Sequence, residues 1–334
     1  MYSERKNHFR ELENARNSKV LLYVTGDRPG WETQVSSEAF DPFVDHLDKM
    51  GVVDRISLVL YTRGGDPLAG WSIVNLVKQF CSELEVIIPH KCHSTGTLIA
   101  LGARKILMTK QATLGSIDPS VDTPLNPQIE GAPLESRVPV SVEGIQGFIT
   151  LARKELGLKG EAGLAKILMN LSKQVHPLVL GQAIRIRELI PRLARRLIVD
   201  QVSNLDKIEE LINFLTSESG SHDYTISRPE GRELGLNIES PNDTLYETIK
   251  SLYDDFRNEL QLNVGFDQGA AVGQENTRSY EIKRALVESF AGGSHYFVSE
   301  GTFSRILVNT PEGQQPGTRD ERTFEGWRRI ACGV

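Results

Sequence analysis

The stretch His90-Lys91-Cys92-His93-Ser94-Thr95-Gly96 gathers two histidines, a lysine, a cysteine and a serine within seven residues. An apolar strand pattern, Glu85–Pro89, enters it, and a helix rich in small residues, about 95–103, leaves it. Ser94 then stands at a helix N-terminus, where unpaired backbone donors and the positive dipole end favour an alkoxide or oxyanion. That is the setting of a nucleophilic serine. It is equally the setting of a serine that only caps its helix, and local sequence does not separate the two. Cys92 reads as a small buried filler.

Two further segments bear on the same chemistry. Arg63-Gly64-Gly65-Asp66 follows the apolar run Ile56–Tyr61. Paired glycines bring bare N–H groups close to a bound group, and two such donors form an oxyanion hole for acyl transfer. Taken alone, the pair is also an ordinary strand-to-helix turn. Ala112–Pro119 ends in Asp118, which either supports a base or substrate or makes an Asx-turn before Pro119.

The elements that must hold these residues alternate. Strand patterns at 19–25, 56–61, 85–89 and 105–108 are separated by helical spacings at 36–50, 68–82 and 95–103. That is the pattern of βαβ units with right-handed crossovers, whose ligand sites lie beyond the C-terminal strand ends. A proline-rich loop follows at 118–139, then helical periodicity over about 140–216. A short α/β stretch at 224–236 and an amphipathic helix at 243–262 come next. Residues 265–274 read as a linker. Residues 278–334 read as a small module with a helix at 279–290 followed by two strands.

The chain has 334 residues, 39% hydrophobic and 25% charged, as in a globular protein with a full core. A net charge of −6 argues against a nucleic-acid partner. No apolar run reaches the roughly 18 residues of a membrane span, and the charged start lacks the apolar core of a signal peptide. A cytoplasmic location is the expectation. Three widely spaced cysteines suggest neither disulfides nor a metal site, and no cofactor is expected.

Taken together, the segments 93–108 (HSTGTLIALGARKILM), 112–121 (ATLGSIDPSV) and 221–236 (SHDYTISRPEGRELGL) resemble the serine dehydrogenase proteinase family. That family is related to signal peptide peptidase A and Clp-type peptidases. The resemblance spans roughly residues 18–240, with a diverged middle at about 122–215. It implies an α/β Clp/crotonase-like core of repeated β-β-α units in a spiral. A serine protease domain would cover 1–262, with a helical insertion at about 140–216. Residues 263–334 would form a C-terminal module of unassigned role. It also implies Ser94 as nucleophile of an acyl-enzyme peptidase, with Gly64, Gly65 and the Thr95 amide at the oxyanion hole. Peptides or unfolded proteins would be the substrates and a homo-oligomer the working form. Relatives often carry an N-terminal membrane helix, and this sequence has none.

The general base stays open at this point. The stretch from Asp223 resembles the one that holds the acid of the Clp triad, which makes His222 the first candidate and Asp223 its partner. A lysine of the helical region (Lys154, Lys166 or Lys173) is second, as in signal peptide peptidase A relatives, and His93 is third. Two other readings remain: an acyl-CoA-type crotonase-fold enzyme and a non-catalytic peptide-binding scaffold.

Overall fold

The structure, a computed structural model, describes residues 2–117, 120–129, 136–158, 160–218, 221, 223–310 and 313–330. In chain order the first elements are α1 (Tyr2–Arg16), β1 (Lys19–Thr25), α2 (Phe40–Met50), β2 (Val53–Tyr61), α3 (Pro67–Phe80), β3 (Cys81–Ile88), β4 (Lys91–Cys92), α4 (Thr95–Leu101), β5 (Lys105–Met108) and β6 (Thr113–Gly115). Then come β7 (Ser120–Val121), β8 (Val140–Ser141), α5 (Val142–Thr150), α6 (Glu161–Gln174), α7 (Pro177–Leu197) and α8 (Leu205–Asn213). The chain ends with β9 (Thr225–Ser227), α9 (Arg228–Glu233), β10 (Ile238–Glu239), α10 (Asp243–Glu259), α11 (Gln268–Val272), β11 (Thr277–Ser289), β12 (Gly293–Thr310) and β13 (Gly313–Ile330).

Two compact units result. The larger comprises residues up to 115, 197–203 and those from 225 onward; the smaller comprises 116–196 and 204–224. In the larger unit, eight strands run in the order β10-β5-β3-β2-β1-β11-β12-β13, and β4-β6-β9 form a second sheet. The strands from β10 to β1 pair in parallel, and β11 to β13 are antiparallel additions. β11, β12 and β13 thus extend the parallel sheet from the edge of β1.

The central strands read as unbroken apolar runs because both of their faces are covered. Leu22, Val59, Ile87 and Leu107 lie side by side across β1, β2, β3 and β5, all fully buried. Phe9 and Leu12 of α1, with Leu245, Ile249, Leu252 and Phe256 of α10, complete the same core. On the other face Tyr23 meets Phe43 of α2 edge-on, ring centroids 5.1 Å apart. Each such large side chain contributes about 1.5–3 kcal/mol on burial. In the smaller unit Val121, Val140, Val142, Ile145, Val179 and Ala183 form a separate core.

The helix expected at 279–290 is a strand. Its Glu, Lys, Arg, Ala and Leu favour a helix locally, but β11 pairs with β1 from Leu21↔Ser289 to Thr25↔Ala285. Satisfying the open edge of β1 outweighs a weak local propensity. The segments HYFV and RILV, expected as two strands, fall within the single 18-residue β12.

Candidate functional site

Backbone pairing brings the three chemical segments of the larger unit together. The Thr62 amide donates to Lys91 O at 3.0 Å, and the His93 amide donates to Thr62 O at 3.0 Å. β4 therefore runs beside the end of β2, and Ser94 arrives against the glycine turn. Gly64 lies so near that a Cβ on it would stand 2.7 Å from Ser94 Cβ and 3.1 Å from Oγ.

The turn itself is built from positive φ angles, +118° at Gly64 and +146° at Gly65. Other residues reach that region only under strain. It is clamped from an unforeseen quarter. The Val35 amide donates to Gly64 O and the Asp66 amide to Val35 O, both at 2.8 Å. The Gly64 amide is taken by Thr62 Oγ1 at 2.9 Å, and Thr95 Oγ1 donates to Gly65 O at 2.7 Å. Among the described residues, the Gly65 and Thr95 amides have no hydrogen-bond partner.

Ser94 occupies the N-cap of α4, yet its side chain makes no capping bond. Its φ of 51° and ψ of −115° fall outside the common L-residue regions. A non-glycine residue held there costs about 1–3 kcal/mol and persists only where its surroundings impose it. The capping role therefore does not explain Ser94. Its hydroxyl is half-buried and, among the described residues, without a hydrogen-bond partner.

The neighbouring groups are accounted for differently. His93 packs on Gly115, and its Nε2 lies 2.9 Å from Thr113 Oγ1, so the ring is turned toward β6. Thr97 Oγ1 donates to Cys92 O and Gly115 O, tying α4 to the same strand. Cys92 is fully buried, and burial pushes its thiol well above the usual range, as suits a filler. His90 turns toward Tyr253, ring planes 15° apart and centroids 5.4 Å apart. Burial first, then the charge of Lys91, holds its imidazole below the usual histidine range.

A support that local sequence does not reveal is Asp27, at the end of β1. Its buried carboxylate accepts from Tyr61 Oη at 3.0 Å and Lys91 Nζ at 2.5 Å. The bonds hold β4, and so the approach to Ser94, against the ends of β1 and β2.

Of the remaining expected residues, Asp223, Lys154, Lys166 and Lys173 belong to the smaller unit. Asp118 and His222 lie outside the described residues. Asp223 is exposed, its amide donating to Ser221 Oγ at 3.2 Å. Lys154, Lys166 and Lys173 are exposed. Among the described residues no group of histidine, cysteine or carboxylate side chains is arranged to hold a metal ion, and no helix is long and apolar enough to cross a membrane.

Comparison with known proteins adds the following. The chain is 28% identical over 250 residues to the uncharacterized protein MJ0137 of Methanocaldococcus jannaschii, covering 73% of this chain and 76% of that one. Among solved structures, ClpP1 from Listeria monocytogenes aligns at 15% identity with a TM-score of 0.37, over 70% of this chain and 99% of its own. The 1510-N membrane-bound stomatin-specific protease aligns at 15% identity with a TM-score of 0.38, over 68% and 82%. Residues 49–137 match the family described as ClpP-like SDH-type serine proteinase. That match spans the Gly64-Gly65 turn and Ser94 together, and it supports a serine-type peptidase on a Clp/crotonase-like α/β fold.

Proposed function

We propose that the protein hydrolyses peptide bonds through an acyl-enzyme on Ser94. The observation that carries this reading is the strained backbone of Ser94, packed against Gly64 with its hydroxyl uncommitted. Ser94 Oγ attacks the scissile carbonyl and gives its proton to a base. The base passes that proton to the departing amine, and water then releases the acyl group by the same steps in reverse. The amides of Gly65 and Thr95 are the two donors proposed for the oxyanion. Gly64, whose amide is occupied by Thr62, serves by leaving room for Ser94. Loss of one such donor costs about 10²–10³ in kcat.

His222 is proposed as the base and Asp223 as the group that orients it. Two observations weigh against the alternatives. Exposure leaves the ammonium groups of Lys154, Lys166 and Lys173 hydrated, unlike the desolvated setting of a lysine base. His93 already shares its Nε2 with Thr113. Peptides or unfolded proteins are the proposed substrates, and the cytoplasm the proposed compartment. Self-association is proposed because α6 has no buried residue yet carries Leu168 and Met169 at 58% and 62% exposure. The test is hydrolysis of a fluorogenic peptide library by the wild-type protein and Ser94→Ala. Activity in the first alone is expected; equal activity in both removes Ser94 from the mechanism.

A further inference from the structure

In open parallel sheets, ligands bind beyond the C-terminal ends of the strands. β3 and β5 are parallel neighbours, and the residues just past their ends are His90 and the pair Lys110-Gln111. α10 lies across them with Tyr246, Lys250, Tyr253 and Arg257, spaced by four, three and four residues along one helical face. Together they line a cleft of about 450 Å³ in the larger unit. Ligand sites commonly span about 300–1,000 Å³.

The chemistry of this cleft is cationic and incompletely satisfied. Lys110, Lys250 and Arg257 face a single carboxylate among the lining residues, Asp254. That carboxylate is bound to Lys250 Nζ at 2.8 Å and lies 3.9 Å from Arg257 Nη1. Lys110 Nζ instead sits 4.4 Å from the centre of the Tyr246 ring and has no carboxylate partner among the described residues. Two polar atoms of lining residues, His90 Nδ1 and Gln111 Oε1, are buried without a hydrogen-bond partner among the described residues. An orphaned buried polar atom costs about 1–3 kcal/mol, so two on residues that line one cleft call for an explanation. The wall behind them is rigid: His90 is stacked on Tyr253, which meets Phe256 edge-on at 5.3 Å.

We propose that this cleft is a binding site for a small anionic ligand. Its phosphate or carboxylate group would lie among Lys110, Lys250 and Arg257, beside the side chains of His90 and Gln111. Neither Ser94 nor Gly64 nor Gly65 lines this cleft, and ligand binding there needs no peptidase activity. Guanidinium and ammonium groups bind both oxyanions through charge-assisted hydrogen bonds, so the two ligand types are distinguished by experiment.

The full-length protein is titrated calorimetrically with sodium phosphate and with sodium acetate, each against sodium chloride at equal ionic strength. Saturable binding of at least one anion is expected. Preference for phosphate identifies a phosphate-bearing ligand, and preference for acetate a carboxylate-bearing one. Lys110→Gln and Arg257→Gln are each expected to weaken binding by about tenfold or more. Arg153→Gln, in the smaller unit, is expected to leave it unchanged. Lys110 is exposed, so its replacement spares the core; circular dichroism checks the fold of every variant, with Lys250→Gln as substitute if Arg257→Gln misfolds. Absence of saturable binding for both anions up to roughly 50 mM, a range where even very weak sites register, overturns the proposal. So does an affinity that the cleft variants leave unchanged.

Discussion

Gly64→Ala is the most informative substitution near Ser94. The new methyl must adopt a φ of +118° and stand 2.7 Å from Ser94 Cβ. The backbone strain alone is worth about 1–3 kcal/mol. Carbon atoms prefer about 3.5–4.0 Å, so one partner has to move by on the order of 1 Å. A displacement of that size at a reacting group costs about 10²-fold. Gly51 supplies the control: its φ is +69°, and a Cβ there meets nothing within 4 Å. Both alanine variants are expected to melt a few degrees lower, from strain of similar size. Only Gly64→Ala is expected to slow fluorophosphonate labelling of Ser94, by about 100-fold. Wild-type labelling in Gly64→Ala, or equal slowing in Gly51→Ala, refutes the claim that Gly64 is there to make room for the nucleophile.

Three further outcomes are expected. Arg5 is fully buried and bonds Glu288, Asp255, Glu259 and Tyr296. Arg5→Met therefore strands buried carboxylates and costs about 3–5 kcal/mol in denaturant titration; a loss below about 1 kcal/mol makes the network dispensable. His46, buried against Ser289 and His295, has its imidazole held down to about 3, chiefly by burial and then by the charge of His295. The unfolded chain takes up that proton near the ordinary value of about 6.5 and the native chain does not. Stability is therefore complete above that pH and is lost as pH falls toward 3, by up to about 1.4 kcal/mol per unit. His46→Gln should flatten this slope, and an unchanged slope assigns the acid sensitivity elsewhere. If His222 is the base, His222→Ala should approach the loss of Ser94→Ala, because nucleophile and base act as a unit. Near-normal turnover there, with inactivation by replacing Lys154, Lys166 or Lys173, transfers the role to a lysine.

What was readable from sequence follows from how each element is stabilised. β1, β2, β3 and β5 are buried on both faces and so announce themselves as apolar runs. The turns at the glycine pair and at Ser94 were readable because each falls at a strand end. Val35 and Asp27 were not, since their contributions are bonds to partners 29 and 64 residues away that no local pattern encodes. The strand at Thr277–Ser289 was hidden for a related reason: its conformation is set by pairing with β1, more than 250 residues earlier, against its own composition. Setting aside the capping role of Ser94 needed coordinates, because it rests on the backbone angles and the missing capping bond.

The most direct test of the central claim is to treat the native protein with a fluorophosphonate and locate the adduct by peptide mass spectrometry. A single adduct on Ser94 is expected, abolished in Ser94→Ala and suppressed by prior heat denaturation. An unlabelled protein, or one labelled at another serine while Ser94 stays unmodified, contradicts a nucleophilic role for Ser94.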